Sequence, residues 1–285
     1  MLSFKQLRAQ KLINPEKKIP YTRVFNETDK FDTSYLEELE NNYSKIRSDS
    51  LKFAALNDLA YYMHTRDLRR SLELTRVGLK LSREKKNTLW EGRFQITEGA
   101  VLLRMEKLDT ALVVLEDAKS KVTQQDLPLL YTQLGYVYER TGDIVTAADF
   151  AFKVQNLGIA LNDDKAIAMS YSDLSNLYWK SSDYKKGLEL GLKSIEYFEK
   201  RNLNDMDYDF TLYVVGNNLL NLNRPLDALT YFERAISMGE QYGFYNNLSD
   251  IYISMIDLYT ELNEYESAEI VGDNAIKYAN LIDND

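Results

Sequence analysis

The sequence predicts an all-α protein, a right-handed α-solenoid built from about six helical hairpins. Three observations indicate this fold class. The 285 residues include only 4 Pro and 12 Gly, so few positions interrupt a helix. The 21 Tyr and 11 Phe recur at helical spacing rather than in the alternating pattern of a strand. A small residue also recurs every 36 to 41 positions, a period typical of stacked helical hairpins.

Two markers define the repeat and stay in register through six copies. The first is a small residue that opens the second helix of each hairpin, at Ser71, Ala111, Ala147, Gly187, Ala228 and Ala268. The second is a Tyr or Leu nine positions earlier, at Tyr62, Leu102, Tyr138, Tyr178, Leu219 and Tyr259. A small residue lets two helices approach closely, and the larger one fills the seam between them. Because only stacking buries every apolar face, we expect one continuous core.

The turns between the two helices of a hairpin are short. Arg66-Asp67, Gly142-Asp143 and Ser182-Asp183 each offer a helix stop followed by an N-cap. Pro225 falls in a first helical turn, where its missing N–H costs little. These signals predict helix, tight turn and helix in each copy.

The ends of the chain differ from the middle. Residues 1–31 carry seven Lys or Arg and three Asp or Glu, which predicts a basic lead-in tail before a solenoid over 32–285. A tail packed on the first hairpin and a basic docking arm are the two alternatives. A helix from about Asp32 to Ile46 is expected to cap the first repeat. Tyr265–Ile282 is predicted as the last second helix, without a polar cap, so we expect a longer protein or a partner at this end.

The run Leu134-Gly135, Tyr138, Gly142-Asp143 and Ala147 resembles the tetratricopeptide repeat, and weaker copies extend over about residues 50–282. The period exceeds the family's common unit of about 34 residues by about six. Longer units of this kind are similar to those of bacterial peptide-pheromone receptors and of sensor proteins that join such repeats to output domains. The resemblance implies a solenoid that binds other molecules rather than transforming them.

Composition excludes several classes of chemistry. The chain has no Cys and one His, which rules out thiolate metal sites, cysteine nucleophiles and two-histidine metal motifs. No phosphate loop or nucleophile elbow is present, so we predict no enzyme, no metal and no cofactor. A net charge of −9 argues against direct nucleic-acid binding. No apolar stretch approaches the roughly 20 residues of a membrane span, so we expect no membrane insertion. A cytoplasmic location is expected, with a periplasmic one as the alternative for a trimmed sensor domain.

The first helix of each hairpin lines the concave face of a solenoid, and Asn side chains recur there. Asn176 and Asn217 occupy equivalent positions, and Asn218 follows the second. An amide can donate to and accept from an extended peptide backbone whatever its sequence. Hydrogen bonding to neighbouring helices, or simple exposure to water, is the alternative role.

A second position carries a His or a cation in four consecutive copies, at His64, Arg104, Arg140 and Lys180. A basic ladder would suit an acidic ligand or a terminal carboxylate. The alternative is that each cation interacts with the C-terminal dipole of its helix, with His64 as a capping or surface imidazole. Tyr136, Trp179 and Tyr213 could add aromatic contacts to a ligand or pack between helices. The Lys/Asn clamp of short-repeat co-chaperones has no match at these positions.

These observations predict a non-catalytic module that binds a protein or peptide segment in its groove and acts as a scaffold or adaptor. One alternative is the sensor domain of a larger bacterial signalling protein, whose kinase, phosphatase, cyclase or transcription-regulator output lies outside these residues. A second is a homodimer formed through the uncapped C-terminal end.

Overall fold

The computed structural model describes residues 33–201 and 204–282, so the predicted tail over residues 1–31 lies outside the described part. Within the described ranges the protein has thirteen α-helices, one 3-10 helix and no strand. The all-α prediction is confirmed. The chain divides into two compact units between Thr141 and Gly142.

The first unit contains six of the helices and the 3-10 helix. They are α1 (Thr33–Asn42), the 3-10 helix (Tyr43–Lys45), α2 (Asp49–Met63), α3 (Leu68–Glu84), α4 (Thr88–Arg104), α5 (Leu108–Ala118) and α6 (Leu127–Arg140). The second unit contains seven: α7 (Ile144–Leu161), α8 (Asp164–Lys180), α9 (Tyr184–Arg201), α10 (Met206–Leu220), α11 (Pro225–Tyr242), α12 (Tyr245–Glu261) and α13 (Tyr265–Ile282). Successive helices pack as antiparallel hairpins, α2 with α3 and α4 with α5 in the first unit. The hairpins of the second unit are α8–α9, α10–α11 and α12–α13.

The small residues of the repeat lie in the first turn of each second helix. Every second helix begins three residues before its small residue, at positions 68, 108, 144, 184, 225 and 265. Ser71, Ala111, Ala147, Gly187 and Ala228 are buried, whereas Ala268 in the last hairpin is half-buried. Larger side chains at these positions would hold the two helices of a hairpin apart, so the size of this residue sets the helix–helix distance.

Aspartate caps hold the turns between helices. Asp67 accepts a hydrogen bond from the backbone N–H of Arg70 over 2.8 Å, and Asp143 accepts one from Thr146 over 3.0 Å. Gly142 adopts φ +84°, a left-handed conformation that costs glycine little and stops the preceding helix. The predicted stop-and-cap turns are therefore present.

The amino-terminal helix is shorter than the sequence indicates. The expected helix over about Asp32 to Ile46 divides into α1 and the 3-10 turn that follows it. Leu36, Leu39 and Ile46 are buried, and α1 packs on α2. This apolar contact covers the first hairpin, which is the role expected of a cap.

One helix of the described residues, α7, is long and apolar enough to cross a membrane by length and composition alone. Its 18 residues have a mean hydropathy of 1.2, and 28% of that stretch is buried. The sequence-based expectation of no membrane insertion stays a prediction.

Candidate functional site

The first helices of neighbouring hairpins lie side by side in the second unit. Thr211 on α10 donates a hydrogen bond to the hydroxyl of Ser172 on α8 over 2.9 Å. On the other side of α10, Asn247 Nδ2 of α12 donates a hydrogen bond to Asp209 Oδ2 over 2.7 Å. These buried contacts set α8, α10 and α12 in one row, the arrangement that a binding face on first helices requires.

The two equivalent asparagines are both nearly buried. Asn176 is 4% exposed and Asn217 is 2% exposed. The side-chain nitrogen of Asn217 has no hydrogen-bond partner. This amide therefore has hydrogen-bonding capacity that the protein itself does not use. Leaving a buried donor unpaired costs about 1–3 kcal/mol.

Asn218 occupies the space between helices rather than a binding face. It is fully buried, and its Nδ2 donates to the carbonyl oxygen of Val214 over 2.9 Å and to Ser175 Oγ over 3.4 Å. Its side chain also lies against the backbone of Gly187. Of the two roles open to it from sequence, the structure gives Asn218 hydrogen bonding and packing between helices.

Three half-buried aromatic residues form a row along α8 and α10. The rings of Trp179 and Tyr213 meet edge to face at 6.4 Å, and those of Tyr213 and Phe210 are 5.9 Å apart. We call Phe210, Tyr213 and Trp179 the aromatic row. Sequence reasoning missed Phe210, although its position three residues before Tyr213 puts both on one helical face. Tyr136 is also half-buried but lies in the first unit.

The four positions of the expected basic ladder have different environments. His64 is the C-cap residue of α2, and its buried ring nitrogen Nδ1 contacts the carbonyl oxygen of Tyr61. Burial, with Arg104 nearby, lowers the pKa of His64 to about 3, so the ring is neutral. Of the sequence-based roles, the cap is correct and the surface imidazole is wrong, because the ring packs against Tyr61.

His64 is therefore not a cation of the ladder, and the three cations at the other positions do not form a row of equivalent groups. Arg104 is half-buried close to His64, and exposed Arg140 forms an ion pair with Glu106. Both belong to the first unit, whereas exposed Lys180 ends α8 in the second. Only Lys180 therefore lies next to a member of the aromatic row, Trp179.

A buried ionic cluster holds the start of α10. Lys165 Nζ lies 3.3 Å from Asp205 Oδ2 and 2.8 Å from Asp207 Oδ2, and Arg201 also pairs with Asp205. The cations beside Asp205 lower the pKa of its carboxyl against the opposing effect of burial. Asp205 also caps α10 by accepting from the N–H of Tyr208. The cluster fixes the helix that carries Asn217 and Tyr213.

The first unit has a separate open cavity of about 490 Å³, and five of its six lining residues are charged. It is lined by Arg76, Leu79, Lys80, Arg83, Glu84 and Glu98. Burial raises the pKa of Glu98 although Arg76 and Arg83 oppose the shift. The cavity mixes exposed Arg, Lys and Glu side chains with half-buried Glu98 and buried Leu79, and it shares no residue with the aromatic row. Across the described residues, no group of three or more His, Asp or Glu is placed to hold a metal ion.

Comparisons with known proteins agree with the fold. No family model matches the chain. A stretch of 168 residues is 29% identical to the UDP-N-acetylglucosamine–peptide N-acetylglucosaminyltransferase of Giardia intestinalis. The match covers 56% of this chain but only 10% of the transferase.

Solved structures of helical-repeat proteins superpose on most of the chain. A Rap protein complexed with competence and sporulation factor matches with a TM-score of 0.67 and 16% identity, over 86% of this chain and 69% of its own. The tetratricopeptide-repeat sensor protein of the signal transduction ATPase class from Pyrococcus horikoshii matches with a TM-score of 0.58 and 17% identity, over 90% of this chain and 41% of its own. This chain has the tetratricopeptide-repeat fold, in a form with about 40 residues per helical hairpin.

Proposed function

We propose that the second unit binds an extended peptide or protein segment along α8, α10 and α12, and that the protein is a non-catalytic scaffold or adaptor. The observation that carries this proposal is the unpaired Nδ2 of Asn217. Asn217 lies four residues after Tyr213, so the free donor and the aromatic row share one face of α10.

The chemistry suits a peptide ligand. A rotation of the Asn217 side chain would let Nδ2 donate to a ligand carbonyl, while the equivalent Asn176 offers a second amide one helix away. The half-buried rings of the aromatic row can pack against ligand side chains with little loss of conformational entropy. Lys180, exposed beside Trp179, would favour an acidic group at that end of the ligand.

The comparisons support a binding role of this kind. One structural neighbour is a Rap protein complexed with a competence and sporulation factor, and another is described as a repeat sensor. The transferase match reaches only 10% of that enzyme, so its activity is not carried over to this chain.

Selection from a displayed library of short random peptides tests the proposal. We expect wild-type protein to enrich a set of peptides. In calorimetry, the Asn217→Ala and Tyr213→Ala variants should bind these peptides at least about tenfold more weakly than wild type does. Asn280→Ala, an exposed amide on α13, is the matched control and should bind normally. Enriched peptides that bind all variants equally would contradict the proposed face.

A second candidate function is a sensor domain of a larger signalling protein. The repeat sensor from Pyrococcus horikoshii favours it, because this chain spans 41% of that protein. Reading the source DNA on both sides of this coding region tests the idea. An adjoining output domain in the same frame would support it, and stop codons directly at both ends would oppose it.

A further inference from the structure

The outer face of the second helices has a regular pattern of residues. Positions two before, five after and twelve after the small residue are exposed in each second helix that contains them. In four of these helices at least two of the three residues are charged. The residues are Arg69, Arg76 and Arg83 on α3; Lys185, Leu192 and Glu199 on α9; Leu226, Glu233 and Glu240 on α11; and Glu266, Asp273 and Asn280 on α13.

Helix α7 breaks this pattern at all three positions. It carries Val145, Phe152 and Ile159, which are 75%, 47% and 61% exposed. The seven-residue spacing places them on one side of the helix, since a heptad repeat drifts by only about 20° per step. They form a ridge of about 21 Å, given a rise of 1.5 Å per residue. We call these three residues the α7 ridge.

Packing within the second unit does not account for the α7 ridge. The core-facing side of α7 is separate, and Ala147, Phe150, Ala151 and Val154 are buried there. Because equivalent positions on the other second helices are mostly charged, the hairpin fold does not need apolar residues at these sites. A row of large exposed apolar residues along one helix, where the other second helices carry mostly charge, points to a site of association.

We propose that the α7 ridge is the contact between two copies of this chain, paired through antiparallel α7 helices. A two-fold interface must be complementary to itself. The ridge meets this requirement because Val145 and Ile159 lie seven residues on either side of Phe152. With the two-fold axis at Phe152, Val145 meets the partner's Ile159, and the two Phe152 rings pack together.

Charges beside the ridge match the same arrangement. Exposed Asp149 and Lys153 lie three residues before and one residue after Phe152. In the antiparallel pair, Asp149 of one copy comes within about 3 Å, measured along the helix axis, of the partner's Lys153. Opposite charges therefore face each other twice across the axis, while parallel pairing would set each charge beside its own kind.

These charges also argue against a membrane as the occupant of the ridge. Asp149 and Lys153 lie near the middle of α7, where burial in hydrocarbon would cost several kcal/mol. At a protein surface the same residues remain solvated at the edge of the contact. A lipid surface is retained as an outcome of the test.

Sedimentation equilibrium on the full chain tests the proposal. We expect wild-type protein to dimerise and Phe152→Glu to raise the dimer dissociation constant at least about tenfold, because it places two like charges on the axis. Leu226→Glu, an exposed apolar site on α11, is the matched control and should dimerise normally. Asp149→Lys should weaken the dimer, and Asp149→Lys with Lys153→Asp should restore it.

Cysteine crosslinking tests the geometry directly, since the chain contains no Cys. Phe152→Cys should form a disulfide-linked dimer on oxidation. Val145→Cys alone should not, whereas Val145→Cys together with Ile159→Cys should.

Three outcomes would overturn the proposal. The first is a wild-type protein that stays monomeric at all concentrations. The second is a dimer that Phe152→Glu leaves intact but Ile276→Glu on α13 breaks, which would assign the contact to the C-terminal end. The third is monomeric protein that binds phosphatidylcholine vesicles through Phe152.

Discussion

Asn247 on α12 donates a hydrogen bond from Nδ2 to Oδ2 of Asp209 on α10 over 2.7 Å, with both residues buried. The second carboxyl oxygen of Asp209 has no partner. Burial raises the pKa of Asp209 to about 8, with Asp205 adding to the effect and the Asn247 hydrogen bond opposing it. A carboxyl group that joins two neighbouring first helices is thus held in its neutral form.

Asp209 is expected to make the second unit less stable as pH rises. Its pKa is higher in the folded protein than its ordinary 3.8, so the folded state holds the proton more tightly. The stabilisation is fully present below pH 3.8 and is lost as pH rises towards about 8. The loss approaches about 1.4 kcal/mol per pH unit. Asp209→Asn keeps the hydrogen bond without a titrating group.

Urea unfolding of wild type and of Asp209→Asn from about pH 5 to about pH 9 measures this loss of stability. Wild type should lose stability relative to Asp209→Asn across the range, while Asp257→Asn, at an exposed carboxyl on α12, should follow wild type. Parallel stability curves for wild type and Asp209→Asn would show that the carboxyl is already ionised at neutral pH.

His64 is expected to make the protein less stable as pH falls, which is opposite to the effect of Asp209. Its folded pKa is lowered from 6.5 to about 3, chiefly by burial. The neutral ring therefore contributes stability above pH 6.5 that is lost as pH falls towards 3. Because the chain has one His, its imidazole signals in a proton NMR spectrum need no assignment. They should not titrate between about pH 8 and about pH 5, and a midpoint near the ordinary value would refute burial of the ring.

Two helical glycines should respond to alanine with opposite signs. A Cβ on Gly187 would lie 2.8 Å from Asn218 Cγ, so Gly187→Ala should destabilise the protein by about 1–3 kcal/mol. A Cβ on Gly272 would meet only Ile256 Cδ1 at 3.8 Å, so Gly272→Ala should stabilise α13 by about 0.5–1 kcal/mol. Urea unfolding measures both changes.

A double-mutant cycle identifies the cause at Gly187. In the Asn218→Ala background, Gly187→Ala should lose most of its cost, because the obstructing amide is gone. An unchanged cost in that background would place the strain in the backbone rather than in the contact with Asn218.

Regularity along the chain made the hairpins predictable. The small residues and their Tyr or Leu partners recur at fixed spacing, and helix caps such as Asp67 and Asp143 act within three residues of their own position. Contacts of this range are present in the sequence pattern itself. For the same reason the α7 ridge can be found from sequence once the register of the second helices is known.

The candidate site was only partly predictable. The sequence proposes Asn217, Tyr213 and Trp179 as ligand contacts, and that role stays a prediction. Sequence position alone could not separate Asn217 from its neighbour Asn218. The buried pair of Arg93 and Asp126, 33 residues apart, also has no local signal.

The sequence by itself therefore determined the hairpins, their period and which helices can present a binding face. Only the tertiary structure decided which polar groups are buried, which of those are paired, and which cations remain exposed. The physical reason is that burial depends on side chains from other helices. Gly187 and Ser175 lie against the buried side chain of Asn218. Burial, with Arg104 nearby, keeps the ring of His64 neutral.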